Sequence, residues 1–241
     1  MNNLKLLKLF IREAISDLKR PKAIFLAGGP GSGKSTVIRL LGLSDFETVD
    51  PDKYYEQHLI TNNISLDVAS FEEEFFDIFK QMKAAKETDN KKEIARLQPK
   101  FDKLREMAAL AGTGFAAGQR LAKERQSVLT SDKHNFIIDG TGGDYGVIKK
   151  QKINLEKDGY DTAMVFVDAP LEVAIQRNQA RGAAGGRRLR DRTVEKSWNS
   201  AQKNIELYEQ LFGDTFFHID AEYLEGSIVE IKPLVNRFKS L

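Results

Sequence analysis

A glycine-rich stretch near the N-terminus places the strongest constraint on the fold of this chain. It reads FLAGGPGSGKST from Phe25 and fits the pattern G-x-x-x-x-G-K-[ST], with Lys34 and Ser35 at the last two positions. Such a loop lies between a buried strand and a helix N-terminus, where backbone N–H groups and the helix dipole attract anions. An apolar run precedes the loop and the periodic segment STVIRLLGL follows it. The sequence therefore predicts a strand, a phosphate-binding loop and a helix.

Four further apolar runs share the character of the strand before this loop. The five runs are AIFLAG from Ala23, FETVD from Phe46, NFIIDG from Asn135, TAMVFVDAP from Thr162 and TFFHID from Thr215. Helical patterns lie between them, and this alternation is typical of parallel strands joined by right-handed crossovers. We predict an α/β fold of the P-loop NTPase type, with a parallel sheet and helices on both faces, in a single domain over residues 1–241.

The segment between the second and third runs, about residues 61–133, is too long for a simple crossover. Phe71, Phe75 and Ile78 keep helical spacing, and a second periodic set begins at Ile94, with the letters ETDN between the two. This pattern predicts an inserted helical hairpin whose apolar seams face each other. Pro99 would restart or kink its second arm, and a further helix is expected over about residues 115–129. The hairpin is either a solvated structural insertion or a surface for a substrate or a protein partner.

Composition restricts the class of function. The 37 Lys and Arg residues against 35 Asp and Glu give a net charge of +2, which argues against generic nucleic-acid binding. The absence of cysteine excludes disulfides and thiolate metal sites and suits a reducing compartment, so we expect a cytoplasmic protein without membrane spans. Apolar spacing over residues 3–20 predicts an amphipathic helix that packs on its own domain, with a membrane surface or a partner as alternatives.

The glycine-rich loop has defined roles in nucleotide binding. The residues expected to hold ATP are Gly28, Gly29, Pro30, Gly31, Ser32, Gly33, Lys34, Ser35 and Thr36. Lys34 is expected to neutralise charge on the β- and γ-phosphates and Ser35 to bind Mg²⁺. We find no N-K-x-D loop of the kind that GTPases need. The run FIIDGTGG has one Asp rather than the acidic pair of many motor ATPases, which favours transfer to a bound acceptor over hydrolysis.

Acidic residues follow the second strand, in the stretch TVDPDKYYEQHL. Asp50 and Asp52 lie there at the edge where a parallel sheet binds its ligands. Transfer of a phosphoryl group to a hydroxyl benefits from a carboxylate that accepts the hydroxyl proton, and we expect Asp52 to be this base. Asp50 either contacts the acceptor or caps the following helix.

These stretches together resemble the zeta-toxin family of P-loop kinases, which is related to the polynucleotide 5′-kinases. The resemblance covers residues 21 to about 220 outside the hairpin and rests on GGPGSGKST, VDPDKYYEQH, FIIDGTGG and an arginine-rich stretch. It implies an ATP- and Mg²⁺-dependent kinase with Asp52 as the general base. It also implies that His58, Asp139 and Thr141 contact the acceptor.

The chain departs from the family pattern on the acceptor side. Tyr55 stands three residues after the expected base, where the family has Lys or Arg, and we count it among the acceptor-binding candidates. Asp139 and Gly143 stand where the family has Glu and Arg. The acceptor is therefore left open between a nucleotide sugar, a nucleoside or nucleotide, a 5′-hydroxyl polynucleotide and a hydroxylated base in DNA.

The arginine-rich stretch RNQARGAAGGRRLRDR predicts a lid over about residues 177–192. Glycine-rich backbone flanked by guanidinium groups suits a segment that closes over a triphosphate and excludes water. The resemblance places one phosphate-binding arginine at Arg181 and a second near Arg190 or Arg192. The alternative for this stretch is a groove for a nucleic-acid backbone. For the function of the whole chain, the alternative to a kinase is an ATP sensor that closes the lid and presents the hairpin to a protein partner without chemistry.

Overall fold

A five-stranded parallel sheet forms the centre of the protein. The computed structural model describes residues 20–241, so nearly all of the predicted N-terminal helix over residues 3–20 lies outside the described residues. The strands are β1 (Lys22–Ala27), β2 (Glu47–Val49), β3 (Phe136–Asp139), β4 (Asp161–Asp168) and β5 (Phe216–Asp220). Their order is β2-β3-β1-β4-β5, and every neighbouring pair is parallel. The predicted parallel α/β fold is confirmed.

Nine α-helices occur within residues 20–241. They are α1 (Lys34–Leu40), α2 (Pro51–Thr61), α3 (Val68–Glu87), α4 (Lys91–Ser131), α5 (Tyr145–Lys157), α6 (Leu171–Ala183), α7 (Asp191–Gln202), α8 (Ile205–Phe212) and α9 (Leu224–Ser240). A short 3₁₀ turn, Gly213–Thr215, leads into β5. No helix of this part of the chain is both long and apolar enough to cross a membrane.

The central strand β1 is buried on both faces, and its side chains divide the core into two. Phe25 belongs to one apolar cluster together with Phe166 and Tyr208. Ile24 and Leu26 belong to the cluster on the other side of the sheet. This division follows from the strand geometry, because successive side chains point to opposite faces. Both faces are therefore covered by helices, and ligands bind at the exposed carboxyl edge of such a sheet.

Helices α3 and α4 form the predicted helical hairpin. Their shared seam contains Phe71, Ile78, Met82 and Leu97, all of them buried. Asn90 lies in the turn between the helices and caps α4, since its Oδ1 accepts a hydrogen bond from the backbone N–H of Glu93 at 3.1 Å. The facing apolar spacings in the sequence thus correspond to a real packed interface.

Of the two alternatives predicted at Pro99, the restart was wrong. Helix α4 is one continuous helix of 41 residues that runs through Pro99, so the separate helix expected over about residues 115–129 is its C-terminal half. A proline has no N–H, so the backbone carbonyl of Ala95, four residues before Pro99, lacks its helical donor. Both residues are exposed, and water can therefore donate to this carbonyl instead. The C-terminal half also has its own burial, because Ala122 and Leu129 pack in the core under the sheet.

Two glycines of α4 let helix α2 approach closely. A Cβ atom at Gly114 would lie 2.1 Å from Cδ2 of His58, and one at Gly118 would lie 2.8 Å from the carbonyl oxygen of Pro51. Cβ atoms do not approach backbone oxygens that closely, so a larger residue at Gly118 would push the helices apart. The α4 glycines therefore determine where the N-terminal turn of α2, which carries Asp52, lies against the sheet.

Candidate functional site

The glycine-rich loop after β1 is seated against the backbone of β4 and α6. Gly28, Gly31 and Gly33 have φ values of 140°, 83° and 101°, a region that favours glycine. A Cβ atom at Gly31 would lie 2.2 Å from the carbonyl oxygen of Ala174, and one at Gly28 would lie 2.4 Å from that of Val167. The loop conformation thus depends on glycine for both backbone angle and space.

Replacing Gly31 by alanine is expected to lower the free energy of unfolding by about 2–4 kcal/mol, because backbone strain and a clash with α6 add together. ATP binding should weaken as well, since the loop must shift. Gly42→Ala is a matched control: Gly42 has φ 69°, but a Cβ atom there would have no neighbour within 4 Å, so only the strain of about 1 kcal/mol remains. Urea unfolding of both variants measures the difference. Equal losses would contradict the close seating of the loop on α6.

The loop presents donors without protein acceptors. Within residues 20–241, the backbone N–H groups of Gly31, Gly33 and Lys34 make no hydrogen bond to a backbone oxygen. The Oγ atom of Ser32 is buried and also lacks a partner in this part of the chain. Buried polar groups are normally hydrogen-bonded, so a set of unpaired donors at a helix N-terminus fits the oxygens of a bound phosphate. The residues present therefore suit a nucleotide phosphate chain.

Lys34 connects this loop to the end of β3. Its Nζ donates to the carbonyl oxygen of Gly28 at 2.8 Å and lies 3.9 Å from Oδ1 of Asp139. The pKa of Asp139 is raised to about 6, mainly by burial; the positive charge of Lys34 opposes this rise, and the carboxylates of Asp50 and Asp52 contribute to it. These charges interact because the ends of β2 and β3 meet at the same edge of the sheet. Lys34 and Asp139 thus lie side by side at this edge, with the charges of Asp50 and Asp52 close enough to affect Asp139.

The raised pKa of Asp139 predicts a pH-dependent stability difference. An acid whose pKa rises from 3.8 to about 6 on folding destabilises the fold once ionised; this penalty is absent below pH 3.8 and complete above about pH 6. Asp139→Asn removes the penalty, so its free energy of unfolding should exceed that of the wild type by about 1–3 kcal/mol at pH 8. At pH 4 the gain should disappear. Denaturant unfolding at both pH values tests this, and a gain of equal size at both would show that ionisation is not its cause.

Asp50 and Asp52 occupy different positions at the start of α2. Asp50 is the N-cap residue, and its Oδ1 accepts a hydrogen bond from the backbone N–H of Asp52 at 2.9 Å. The capping alternative for Asp50 is therefore what the geometry displays. Asp52 lies in the first helical turn with its side chain half exposed, and it faces the arginine-rich segment. Within residues 20–241 the Asp50 carboxylate accepts a backbone hydrogen bond through Oδ1, whereas that of Asp52 accepts none from the backbone.

The arginine that meets Asp52 is Arg187. Its side chain is only 8% exposed, its Nη2 donates to Oδ2 of Asp52, and its Nε lies 3.3 Å from Oε1 of Glu56. The guanidinium also lies over the ring of Tyr55, 5.7 Å from its centroid, and burial raises the pKa of that tyrosine. A buried guanidinium needs such partners, because an unpaired one would be costly. The sequence had singled out Arg181 and Arg190 instead.

Those two arginines contact carboxylates on the helices around the site. Arg181 pairs with Glu56 of α2, and Arg190 has its Nε 2.5 Å from Oε2 of Glu72 of α3. The loop itself is contacted by Arg177, whose Nη1 donates to the carbonyl oxygen of Ser32 at 3.1 Å. Sequence reasoning did not select Arg177 as a site residue. Its separation of four residues from Arg181 was an available signal, since that spacing places both on one face of α6.

Two of the acceptor-side candidates, His58 and Thr141, lie on different elements of the fold. The Nε2 of His58 lies 3.0 Å from the carbonyl oxygen of Leu110, on the side of α2 that packs against α4. The backbone carbonyl of Thr141 accepts a hydrogen bond from the backbone N–H of Gly28 at 3.2 Å, and this bond connects the turn after β3 to the phosphate loop. Ser35 and Thr36, at the start of α1, are exposed. The structure therefore brings Thr141 to the loop and places His58 between helices.

Trp198 of α7 also contacts the glycine-rich loop. Its Nε1 donates to the carbonyl oxygen of Ala169 at 2.7 Å, and its side chain lies 3.5 Å from the position of a Cβ atom on Gly29. It is the only tryptophan of the sequence. Tyr208 of α8, by contrast, is fully buried, and its hydroxyl donates to the carbonyl oxygen of Gly142 at 2.8 Å. Trp198 is thus a natural fluorescent reporter of the phosphate loop.

Comparisons with known proteins agree with the fold. The AAA_33 family model, described as an AAA domain, matches residues 24–207. A proposed kinase from Chloroflexus aurantiacus has a similar structure, with a TM-score of 0.53 at 12% identity, covering 92% of this chain and 97% of that one. The Pnkp1/Rnl/Hen1 RNA repair complex gives 0.47 at 17% identity, covering 78% of this chain and 46% of that one. The PezAT toxin–antitoxin system of Streptococcus pneumoniae gives 0.46 at 16% identity, covering 98% and 97%. No curated protein matches the chain in sequence.

Proposed function

This chain belongs to the AAA_33 family, and from that membership together with its site we propose that it is an ATP-dependent kinase that transfers the γ-phosphate to a hydroxyl group. The observation that carries the proposal is the meeting of three features at one edge of the sheet. These are a loop with unpaired donors, the pair of Lys34 and Asp139, and the half-exposed carboxylate of Asp52 held by Arg187. Phosphoryl transfer needs a phosphate cradle, positive charge and a base for the acceptor proton, and these residues supply them.

The loop and Lys34 would hold the phosphates of ATP. The donors of Gly31 and Gly33 face the position of the oxyanions at the start of α1, and Lys34 would exchange its contact with the Gly28 carbonyl for the β- and γ-phosphates. Ser35, exposed at the same helix start, would bind Mg²⁺, with Asp139 orienting bound water. When bound, Mg²⁺ supplies charge neutralisation at the phosphates. Within residues 20–241 no group of three or more His, Asp or Glu residues is placed to hold a metal ion.

Asp52 would act as the general base. As the bond between the acceptor oxygen and the γ-phosphorus forms and the bond from that phosphorus to ADP breaks, the hydroxyl proton moves to the Asp52 carboxylate. Arg187 orients this carboxylate and adds positive charge beside the path of transfer. Arg181, which pairs with Glu56, and Arg190, which pairs with Glu72, are proposed to reach the phosphates only after they exchange these partners. The arginine-rich lid over residues 177–192 is part of this proposal.

The motifs favour a zeta-toxin-like kinase, with a small molecule or a nucleotide as acceptor and a nucleic acid as the alternative. GGPGSGKST and VDPDKYYEQH support the ATP half of this assignment. On the acceptor side Tyr55 lies under Arg187, and His58 packs against α4. Asp50, Asp139 and Thr141 complete the proposed acceptor side. A protein partner at the hairpin is compatible with this function.

A panel of acceptors tests the proposal. ATP labelled at the γ-phosphate is incubated with the protein, Mg²⁺ and one of four acceptor classes: UDP-linked amino sugars, nucleosides and mononucleotides, 5′-hydroxyl oligonucleotides, or DNA that contains a hydroxylated base. We expect label to appear on one class and to be absent with Lys34→Ala. Tight ATP binding, read from Trp198 fluorescence, without label on any class would contradict a kinase and support the sensor alternative.

A further inference from the structure

The loop between α6 and α7 is attached to the base of the hairpin by backbone hydrogen bonds. We call residues 184–190 the arginine loop and residues 66–72 the hairpin foot. The backbone N–H of Arg188 donates to the carbonyl of Leu66 at 3.0 Å, and that of Ala69 donates to the carbonyl of Arg188 at 3.1 Å. These two bonds form a one-residue parallel bridge between Asp67 and Arg188. The arginine loop therefore has a fixed partner outside the sheet.

Side chains of the hairpin foot strengthen the same attachment. Arg188 donates from Nε to Oδ1 of Asp67 at 2.8 Å and from Nη2 to Oγ of Ser70 at 2.9 Å. Burial disfavours ionisation of Asp67, but the bonds from Arg188 and Ser70 outweigh it and lower the pKa of Asp67. Glu72, one turn further along α3, pairs with Arg190. The charge-assisted bond from Arg188 to Asp67 is stronger than a neutral one and defines a geometry.

Asn178 of α6 holds the arginine loop from the opposite side. Its side chain is 4% exposed; its Nδ2 donates to the carbonyl of Leu189 at 2.7 Å, and its Oδ1 accepts the N–H of Leu189 at 3.0 Å. Asn178 and the hairpin foot therefore bind two consecutive residues of the loop. Without them the run 183–185, which includes Gly185 at φ 81°, would leave the loop free to move.

From this arrangement we propose that the hairpin foot is a positioning element for catalysis: through Asp67 it holds Arg188, and thereby the adjacent Arg187, at Asp52. This inference rests on the proposed kinase function and gives the helical insertion a part in it. Arg187 contacts the proposed base and the foot contacts neither base nor phosphate, so Asp67 acts through another residue. A displacement of about 1 Å at a reacting centre lowers rates as much as 10²-fold, so loosening the loop should be visible in kcat.

Asp67→Asn separates this role from helix capping. Asp67 is also the N-cap of α3 and accepts the backbone N–H of Ser70 at 3.1 Å, and asparagine caps a helix about as well as aspartate. The variant should therefore fold normally while it loses the ion pair. We expect hydrogen exchange of the arginine loop to accelerate about ten-fold. We also expect kcat to fall about ten-fold while KM for ATP changes less than about three-fold, since the phosphate loop is untouched.

Asp77→Asn provides a matched control on the same helix. Asp77 accepts a hydrogen bond from Gln81 at 2.7 Å and is exposed, so its substitution should leave both exchange and kcat unchanged. The Arg188→Gln variant should reproduce the effect of Asp67→Asn. The double variant should then be no worse than either single one, because partners of one interaction are not additive.

Unchanged exchange of the arginine loop in Asp67→Asn would overturn the proposal, and so would fully additive effects on kcat in the double variant. Exchange is measured on the protein alone, without acceptor. An inactive wild-type protein would thus contradict the proposed kinase function, while faster exchange in Asp67→Asn would still establish that the foot holds the arginine loop.

Discussion

Replacing Asp52 by asparagine should reduce kcat for phosphotransfer by about 10²–10⁴-fold, the usual contribution of a positioned general base. The affinity for ATP should stay within about three-fold of the wild type, because the phosphate loop, Lys34 and Ser35 are separate from α2. Asparagine keeps the size of the side chain and one oxygen for Arg187, so the site should stay folded. Initial rates with labelled ATP give kcat, and Trp198 fluorescence gives the affinity for ATP.

Asp45→Asn controls for a change of charge alone, since Asp45 is exposed and pairs only with Lys239 at 3.2 Å in the described structure. It should leave the rate unchanged. If Asp52→Asn transferred phosphate at the wild-type rate, the assignment of the base would be wrong. If it lost ATP affinity and kcat together, Asp52 would instead serve the nucleotide site.

Replacing Lys34 by alanine should have an effect of similar size but of a different kind. Removing a preorganised charge at the developing phosphate charge costs about 10²–10³-fold in kcat, and ATP binding should weaken at least about ten-fold as well. This loss of both parameters distinguishes Lys34 from Asp52. The reason is its position: its Nζ lies between the Gly28 carbonyl and Asp139, where the β- and γ-phosphates are proposed to bind.

Lys80→Ala is the corresponding control, because Lys80 is exposed on α3 of the hairpin, outside the phosphate site. Stability needs a separate measurement, since Lys34→Ala leaves Asp139 buried without its nearest cation. Unfolding at pH 8 is expected to show a small loss, and at pH 5, where Asp139 is largely protonated, almost none. Full ATP affinity in Lys34→Ala would contradict nucleotide binding by this loop.

The parts of the fold that local patterns encode were predictable from the sequence. All five strands and the α3–α4 seam follow from apolar periodicity, which reports the face that a segment buries. The path of α4 was not predictable in the same way. Taken alone, Pro99 predicts that the helix is interrupted. The position of Pro99 is exposed, however, and Ala122 and Leu129 further along the helix are buried in the core; both features favour one long helix. Tertiary packing outweighs a single unfavourable residue there.

The candidate site also contains parts that local sequence patterns predict and parts that they do not. The phosphate loop and the position of Asp52 follow from contiguous motifs, because the residues that form each of them are neighbours in the chain. The choice of Arg187 among several arginines depends instead on how α3 and α6 hold the arginine loop, through Asp67 and Asn178. Asp67 and Arg188 are more than 100 positions apart in the sequence. No local pattern reports such a pairing.

Coupling of ATP consumption to acceptor phosphorylation tests the central claim most directly. ADP formation is followed with Mg²⁺ in the absence of acceptor and then with each acceptor class, alongside phosphorylated product. We expect one class to accelerate ADP formation and product and ADP to appear in a ratio of about one to one, since the proposed lid and the proposed base would serve transfer rather than hydrolysis. ADP formation at the same rate with and without every acceptor would contradict it, and would identify the protein as an ATPase.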